Sequence, residues 1–311
     1  MGLFDFILKK RREPSAVDNA EVPQKLRSAY AIRTETPKAN NQDAFKVFHD
    51  DESGTVILAI ADGIGSSRFA EEGSRYVAEK SVELIKDASH NGSQIDFVDI
   101  FNRVQSGLTK MVEENHSDHL DDINSRDFGT TLIVGVDSPE VFTLAYIGNG
   151  CAYCIQGDVT CFPNSNCMPW IVKDLLIPHS LPNSVNGKDE LCRYFSYRPT
   201  NVSQTVPTVV TITKNQQAGE IFVLATDGLD SADKHDVFYY QNDELYTKNS
   251  WNMSLLCISV KEYLKTTSKV DDDGLFKLLS DFINTLENEK RIDDDITIGI
   301  VVTRKVNCQL P

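Results

Sequence analysis

The sequence predicts an α+β fold: antiparallel β-sheets stacked as a β-sandwich and flanked by pairs of α-helices. Three observations carry that expectation. Strand-like and helix-like runs come in blocks (strands, two helices, strands, two helices, a strand), without the strict alternation that builds a parallel sheet. The strand runs are short and bounded by turn signals such as Asp137-Ser138-Pro139 and Gly148-Asn149-Gly150. The helical runs keep their apolar residues on one side.

In chain order, residues 1–24 read as an N-terminal tail. Its opening, MGLFDFILKKRREPS, is apolar and then basic, and Phe6 stands where a myristoylation signal wants Ser or Thr. A frayed end and a short amphipathic anchor for a partner or membrane surface are the two readings. TVILAIAD (55–62) is a buried strand, and SSRFAEEGSRYVAEKSVELIKD is a helix capped by Ser66 or Ser67 with Phe69, Val77, Val82 and Ile85 on its apolar side. IDFVDIFNRVQSGLTKMVEE gives a second helix. TTLIVGVD, VFTLAYIG and CAYCIQGDVTCF are then expected to form an antiparallel meander, and residues 162–207, rich in Pro, Asn and Ser, to form loops. EIFVLATD is again a strand, and WNMSLLCISVKEYLK and DGLFKLLSDFINTLENEK are helices. In the second of these Leu275, Leu278, Leu279, Phe282, Ile283 and Leu286 keep helical spacing. ITIGIVVT closes a single domain spanning 25–305, leaving 306–311 as a C-terminal tail.

The chain of 311 residues carries a net charge of -15, with its acids spread along the whole length. That argues against a nucleic-acid ligand, which needs basic stripes, and suits a site that gathers carboxylates around cations. No apolar stretch is long enough to cross a bilayer and no signal peptide is present, so a cytoplasmic location is expected. The seven cysteines then read as reduced thiols. Cys151, Cys154, Cys161 and Cys167 are not a zinc site on this reading, because Cys151 and Cys154 lie three apart in a strand and point to opposite faces.

Two apolar runs end alike: LAIADGIG and FVLATDGL each pass straight from buried residues into Asp-Gly, at Asp62 and Asp227. A carboxylate at the end of an interior strand is costly unless its charge is balanced. Asp43 in NNQDAFKVF and Asp294 in RIDDDITIGI stand beside two further strand-like runs. If these ends converge, four negative charges share one half-buried place, and divalent cations are the natural compensation. Oxygen ligands with neither His nor matched Cys indicate magnesium or manganese. Taken singly, an Asp-Gly after a strand is an ordinary turn and an acidic triple an ordinary solvated loop.

The set in its order, NNQDAF, AIADGIGSS, FGTTL, YIGNGCAY, LATDGL and DDDIT, resembles the metal-dependent protein phosphatases, the type-2C Ser/Thr phosphatases, with bacterial members nearest in style. The resemblance spans about residues 27–303 and is weakest across 162–207. It implies two Mn²⁺ or Mg²⁺ ions, with Asp62 bridging both and the Gly63 carbonyl beside it. It further implies that Asp227 and Asp294 bind the first metal and that Asp43 holds metal-bound water. Gln42 stands where many members have Glu, keeping an oxygen donor and losing a charge. Asp127, just before Phe128-Gly129, is the residue for a third metal, or else a plain loop acid. Gly148-Asn149-Gly150 replaces the family's usual Gly-Asp-Ser turn. For the phosphate-binding cation, Arg33 is favoured for its bidentate guanidinium, and Lys38 sits at the bacterial spacing.

The resemblance implies a hydrolase in which a hydroxide shared by the two ions attacks phosphoserine or phosphothreonine of a protein, opposed by a partner Ser/Thr kinase. Two rivals stand beside it. A non-catalytic pseudophosphatase that binds phosphoproteins draws on Gln42 and Asn149. A metal-dependent nuclease would also use paired carboxylates, and the acidic surface argues against it.

Overall fold

The computed structural model describes residues 27–90, 94–157, 171–182, 189–231, 237–241, 244–248 and 251–307. Two five-stranded antiparallel sheets face one another. The first runs in the order β1 (Ala29–Glu35), β14 (Ile296–Val302), β11 (Glu220–Ala225), β6 (Cys151–Gln156), β7 (Ile171–Asp174). The second runs β10 (Thr208–Thr213), β5 (Val141–Ile147), β4 (Leu132–Asp137), β3 (Thr55–Asp62), β2 (Asp43–Asp50). Two ribbons, β8 (Ser180–Pro182) with β9 (Asp189–Leu191) and β12 (Val237–Gln241) with β13 (Glu244–Lys248), accompany them.

The helices α1 (Ala70–His90) and α2 (Phe97–Asn115) cover the second sheet, and α4 (Trp251–Thr266) and α5 (Asp272–Asn288) cover the first. One-turn helices α3 (Gly228–Ser231) and α6 (Arg304–Asn307) follow β11 and β14. Asp96 caps α2 by accepting from Val98 N and Asp99 N, and Asp271 caps α5 by accepting from Gly274 N. Among the described residues no helix is long and apolar enough to cross a membrane.

Three apolar layers result, and β3 shows why. Ile57, Ala59 and Ala61 pack toward α1 and α2, while Val56, Leu58 and Ile60 pack toward the opposite sheet. A strand buried on both faces shows no polar alternation, which is why TVILAIAD reads as one apolar run. In β6, Cys151 faces the α4–α5 layer and Cys154 the layer between the sheets, so they share no ligand position. Cys161 and Cys167 lie outside the described residues.

The expected meander of three strands is corrected. β4 and β5 form a hairpin in the second sheet, and β6 crosses to the first, where it pairs with β11. The crossing is made at Gly148 and Gly150, whose φ of 102° and 120° lie in the left-handed region that favours glycine. Helix α1 begins at Ala70 without a cap from Ser67, whose hydroxyl donates instead to Arg126 O. The span expected as loops contains β7, β8, β9 and a 3₁₀ turn at Val202–Thr205.

Candidate active site

Both echoed strands deliver their acid to the same end of the sandwich. The antiparallel register sets Asp43, at the start of β2, directly opposite Asp62, at the end of β3. In the other sheet β11 pairs with β14 from Ile221↔Val302 to Ala225↔Ile298. Asp227, just past β11, and Asp294, just ahead of β14, therefore leave that sheet at one edge. The sheets are tied together there by hydroxyls: Thr226 Oγ1 and Thr297 Oγ1 each donate to Asp43 Oδ2 at 2.8 Å, and Thr297 N donates to Thr226 Oγ1 at 2.9 Å.

Asp62 is fixed through its backbone by the Thr130-Thr131 pair. Thr131 N and Thr130 Oγ1 donate to Asp62 O, both at 2.8 Å, and Asp62 N donates to Thr131 Oγ1 at 3.2 Å. Gly63 N donates to Gln42 O, and a side chain at Gly63 would sit 2.8 Å from that oxygen and 2.9 Å from Ala70, so only glycine fits the first Asp-Gly. A Cβ at Gly228 would collide with the Asp295 carbonyl, which explains the second.

The electrostatics follow from this crowding. Burial pushes the Asp43 carboxyl up to about 7, against the pull of its two threonine donors. Burial, then the neighbouring Asp227, Asp43 and Asp294, hold Asp62 well above the usual carboxylate range. Asp227 is raised by burial and by Asp294, and is eased by Asn149, whose amide donates to Asp227 Oδ2 at 2.6 Å, and by Lys38. Lys38 bonds Asp294 and lies 3.7 Å from Asp295; burial opposes its charge, yet these acids raise its pKa overall.

The predicted residues thus divide. Asp43, Asp62, Asp227, Asp294 and Lys38 gather at one centre. Arg33 does not join that network: its guanidinium bonds Glu35 Oε2 and Thr34 O. Asp127 is buried, with one oxygen accepting from Asn124 N at 2.9 Å and the other facing Arg68 N at 3.5 Å, the arrangement of a loop brace. The side-chain oxygen of Gln42 lies toward Gly65.

Sequence reading gave Thr226, Thr297 and Asp295 no part in the site and noted Asn149 only as a departure from the family's usual turn. Asp295, third of the acidic triple, accepts from Gln42 N at 2.9 Å and from the Thr36 hydroxyl. The available signal was a threonine within three residues of each strand-end acid, in LATDG and DDIT.

The donor set suits a hard divalent cation. It is all oxygen, Asp43 Oδ1 is buried without a hydrogen-bond partner, and three carboxyls are raised by burial and mutual repulsion that a cation would relieve. Among the described residues no three acid, His or Cys side chains are drawn into a closed metal cage. Among the described residues Lys38 is the ammonium that pairs with this cluster, at Asp294 and Asp295.

The protein phosphatase 2C family profile matches residues 33–166. A comparison with curated proteins finds no match. Among solved structures, a bacterial serine phosphatase superposes with a TM-score of 0.57 at 14% identity, over 89% of this chain and 98% of that one. The Mycobacterium tuberculosis serine/threonine phosphatase PstP/Ppp gives 0.54 at 16% identity, over 88% and 97%. The Toxoplasma gondii serine-threonine phosphatase 2C gives 0.57 at 12% identity, over 88% and 94%. At such identities the likeness establishes a shared fold.

Proposed function

We propose that the chain is a member of the protein phosphatase 2C family, whose profile matches residues 33–166, and that it is a metal-dependent protein serine/threonine phosphatase acting on phosphoserine or phosphothreonine. One observation carries the proposal: Asp43, Asp62, Asp227 and Asp294 converge from two sheets on one centre, where burial and then the neighbouring acids hold Asp62 and Asp227 above the usual carboxylate range. Asp62, Asp227 and Asp294, with the Gly63 carbonyl, would hold two Mn²⁺ or Mg²⁺ ions. When bound, such ions neutralise phosphoryl charge and make water more acidic.

The chain's own groups do the rest. The Thr226 and Thr297 hydroxyls fix Asp43 through Oδ2 and leave Oδ1 to accept a proton. Asn149 fixes the rotamer of Asp227, so the Asn of this turn positions a ligand where the family's usual acid is absent. Lys38 is the cation best placed to meet a phosphoryl oxygen, since Arg33 is committed to Glu35. A Lys38→Ala variant should therefore raise KM for phosphopeptides more than Arg33→Ala does.

A second reading, a phosphoprotein-binding pseudophosphatase, draws on the same lysine: bonded to Asp294, its ammonium replaces part of the charge a cation would supply. Turnover of p-nitrophenyl phosphate and phosphopeptides separates the two. The proposal expects activity with manganese, less with magnesium, and none in chelator. Binding of phosphopeptides without turnover at any cation concentration would favour the second reading.

A further inference from the structure

A groove of about 560 Å³ opens beside the carboxylate centre, lined by Asp43 and Phe45 of β2 and by Glu71, Arg75 and Glu79 of α1. Two features of its walls are independent of one another. First, β2 is the edge strand of its sheet, and among the described residues no strand pairs with its outer side. That edge can take the main chain of an extended peptide as an added strand. Second, Phe45 is 41% exposed at the groove, while Glu71, Arg75 and Glu79 succeed one another four residues apart along one face of α1. None of these three charges forms an ion pair within 4.0 Å among the described residues, although helical spacing would allow it.

A strand added to this edge sends alternate side chains to opposite faces, so a guanidinium or ammonium group on one face can meet the carboxylates of α1 while its neighbour packs on the Phe45 ring. We propose that this groove is the docking track for the substrate chain next to its phosphoresidue, and that it selects phosphopeptides with a basic side chain a few residues from the phosphoserine or phosphothreonine. The inference rests on the phosphatase reading, whose centre supplies Asp43 at the head of the groove. Glu71 and Glu79 receive the basic side chain on the α1 face of the added strand, Phe45 offers its ring to a neighbouring side chain on the other face, and the single positive charge of Arg75 tempers the attraction. The lining charges sum to −2 when Asp43 is ionised, so an acidic flank is repelled.

The test is a set of matched phosphopeptides that differ only in carrying Arg or Glu in the flanking positions, assayed with manganese. The wild type should prefer the basic peptide by about fivefold in kcat/KM, the scale of two exposed ion pairs, and the preference should shrink in high salt. Glu71→Lys combined with Glu79→Lys should abolish or invert the preference, and Arg75→Ala should enlarge it. Hydrolysis of p-nitrophenyl phosphate, which has no flank, should be unchanged in all of them. Equal use of both peptides by the wild type, or a preference untouched by the double substitution, overturns the inference while leaving the phosphatase reading intact. If no substrate is turned over, that reading falls, and binding of the same peptides decides the inference: a retained basic preference upholds the groove and its absence overturns it.

Discussion

The two ends of the sandwich treat buried acids in opposite ways. At the end away from the candidate site, Asp137 closes β4, is fully buried and meets its counter-charge within the chain: Lys214 Nζ lies 2.6 Å from Oδ1, and Ser28 donates to Oδ2 at 2.7 Å. Burial raises the Asp137 carboxyl, and Lys214 and Ser28 oppose the rise. Arg27, also buried, reaches Asp51 and Asp272 at 2.6 Å each on the same side. A strand length away, at the other end of β3 and β4, Asp43, Asp62, Asp227 and Asp294 crowd together, and Lys38 bonds Asp294 and eases Asp227. Where acids are matched by cations of the chain, the arrangement is structural. Where they outnumber them, the fold has left room for charge from outside.

The sharpest way to break this comparison is to remove an acid from the unmatched end. Asp62→Asn should lower hydrolysis by about three orders of magnitude, since a group acting directly on the reacting centre is lost, and Asp227→Asn should be nearly as inactive. Both variants should fold. In chelator both should be slightly more stable than the wild type, because each relieves repulsion among the remaining acids.

The same operation at the matched end should do the reverse. Lys214→Met strands Asp137 in an apolar setting and should destabilise the protein by about 3–5 kcal/mol in chemical denaturation, with kcat unchanged under native conditions. If Lys214→Met instead abolished activity while sparing stability, the division between the two ends would be wrong.

A smaller effect separates the ends by pH. For Asp43, raised to about 7, the folded state holds a proton that the unfolded chain has released, so its stabilisation is complete below the unfolded carboxylate range and fades as pH climbs through 7. Metal-free protein should therefore gain about 1 kcal/mol between pH 8 and 6.5 from this carboxyl, and manganese should flatten that slope. His179 acts with the opposite sign. Burial and Arg193 lower it from 6.5 to about 4, so its neutral form stabilises above 6.5 and that contribution is lost as pH falls toward 4. The gain on acidification should thus level off below pH 6.5, and His179→Gln should extend it.

Much of this was legible in the residues because the signals are local. Apolar runs ending in Asp-Gly mark β3 and β11, and the periodic leucines of α5 mark a helix lying on a sheet. The convergence of Asp43, Asp62, Asp227 and Asp294 was an inference from charge, and the pairing of Asp43 with Asp62 supplies its geometry. What the residues did not disclose depends on which sheet a strand joins. β6 follows β5 by a three-residue turn, and sequence order alone makes it the next strand of a meander. Its partner is β11, and only that crossing brings Asn149 to Asp227. The threonines behind Asp43 were hidden for a related reason, since Thr226 and Thr297 come from the opposite sheet. Lys38 and Arg33 are five residues apart, and their difference lies wholly in which acid each meets.

The measurement that tests the central claim most directly is thermal unfolding of wild type, Asp62→Asn and Asp227→Asn, each in chelator and across a manganese titration. If the unmatched acids form a cation site, the wild type should be stabilised with saturable dependence on manganese, by about 2.7 kcal/mol at a hundred times the dissociation constant, and both variants far less. Equal stabilisation of all three proteins, or none of the wild type, would show that these aspartates are ordinary strand ends and that the two ends of the sandwich do not differ in kind.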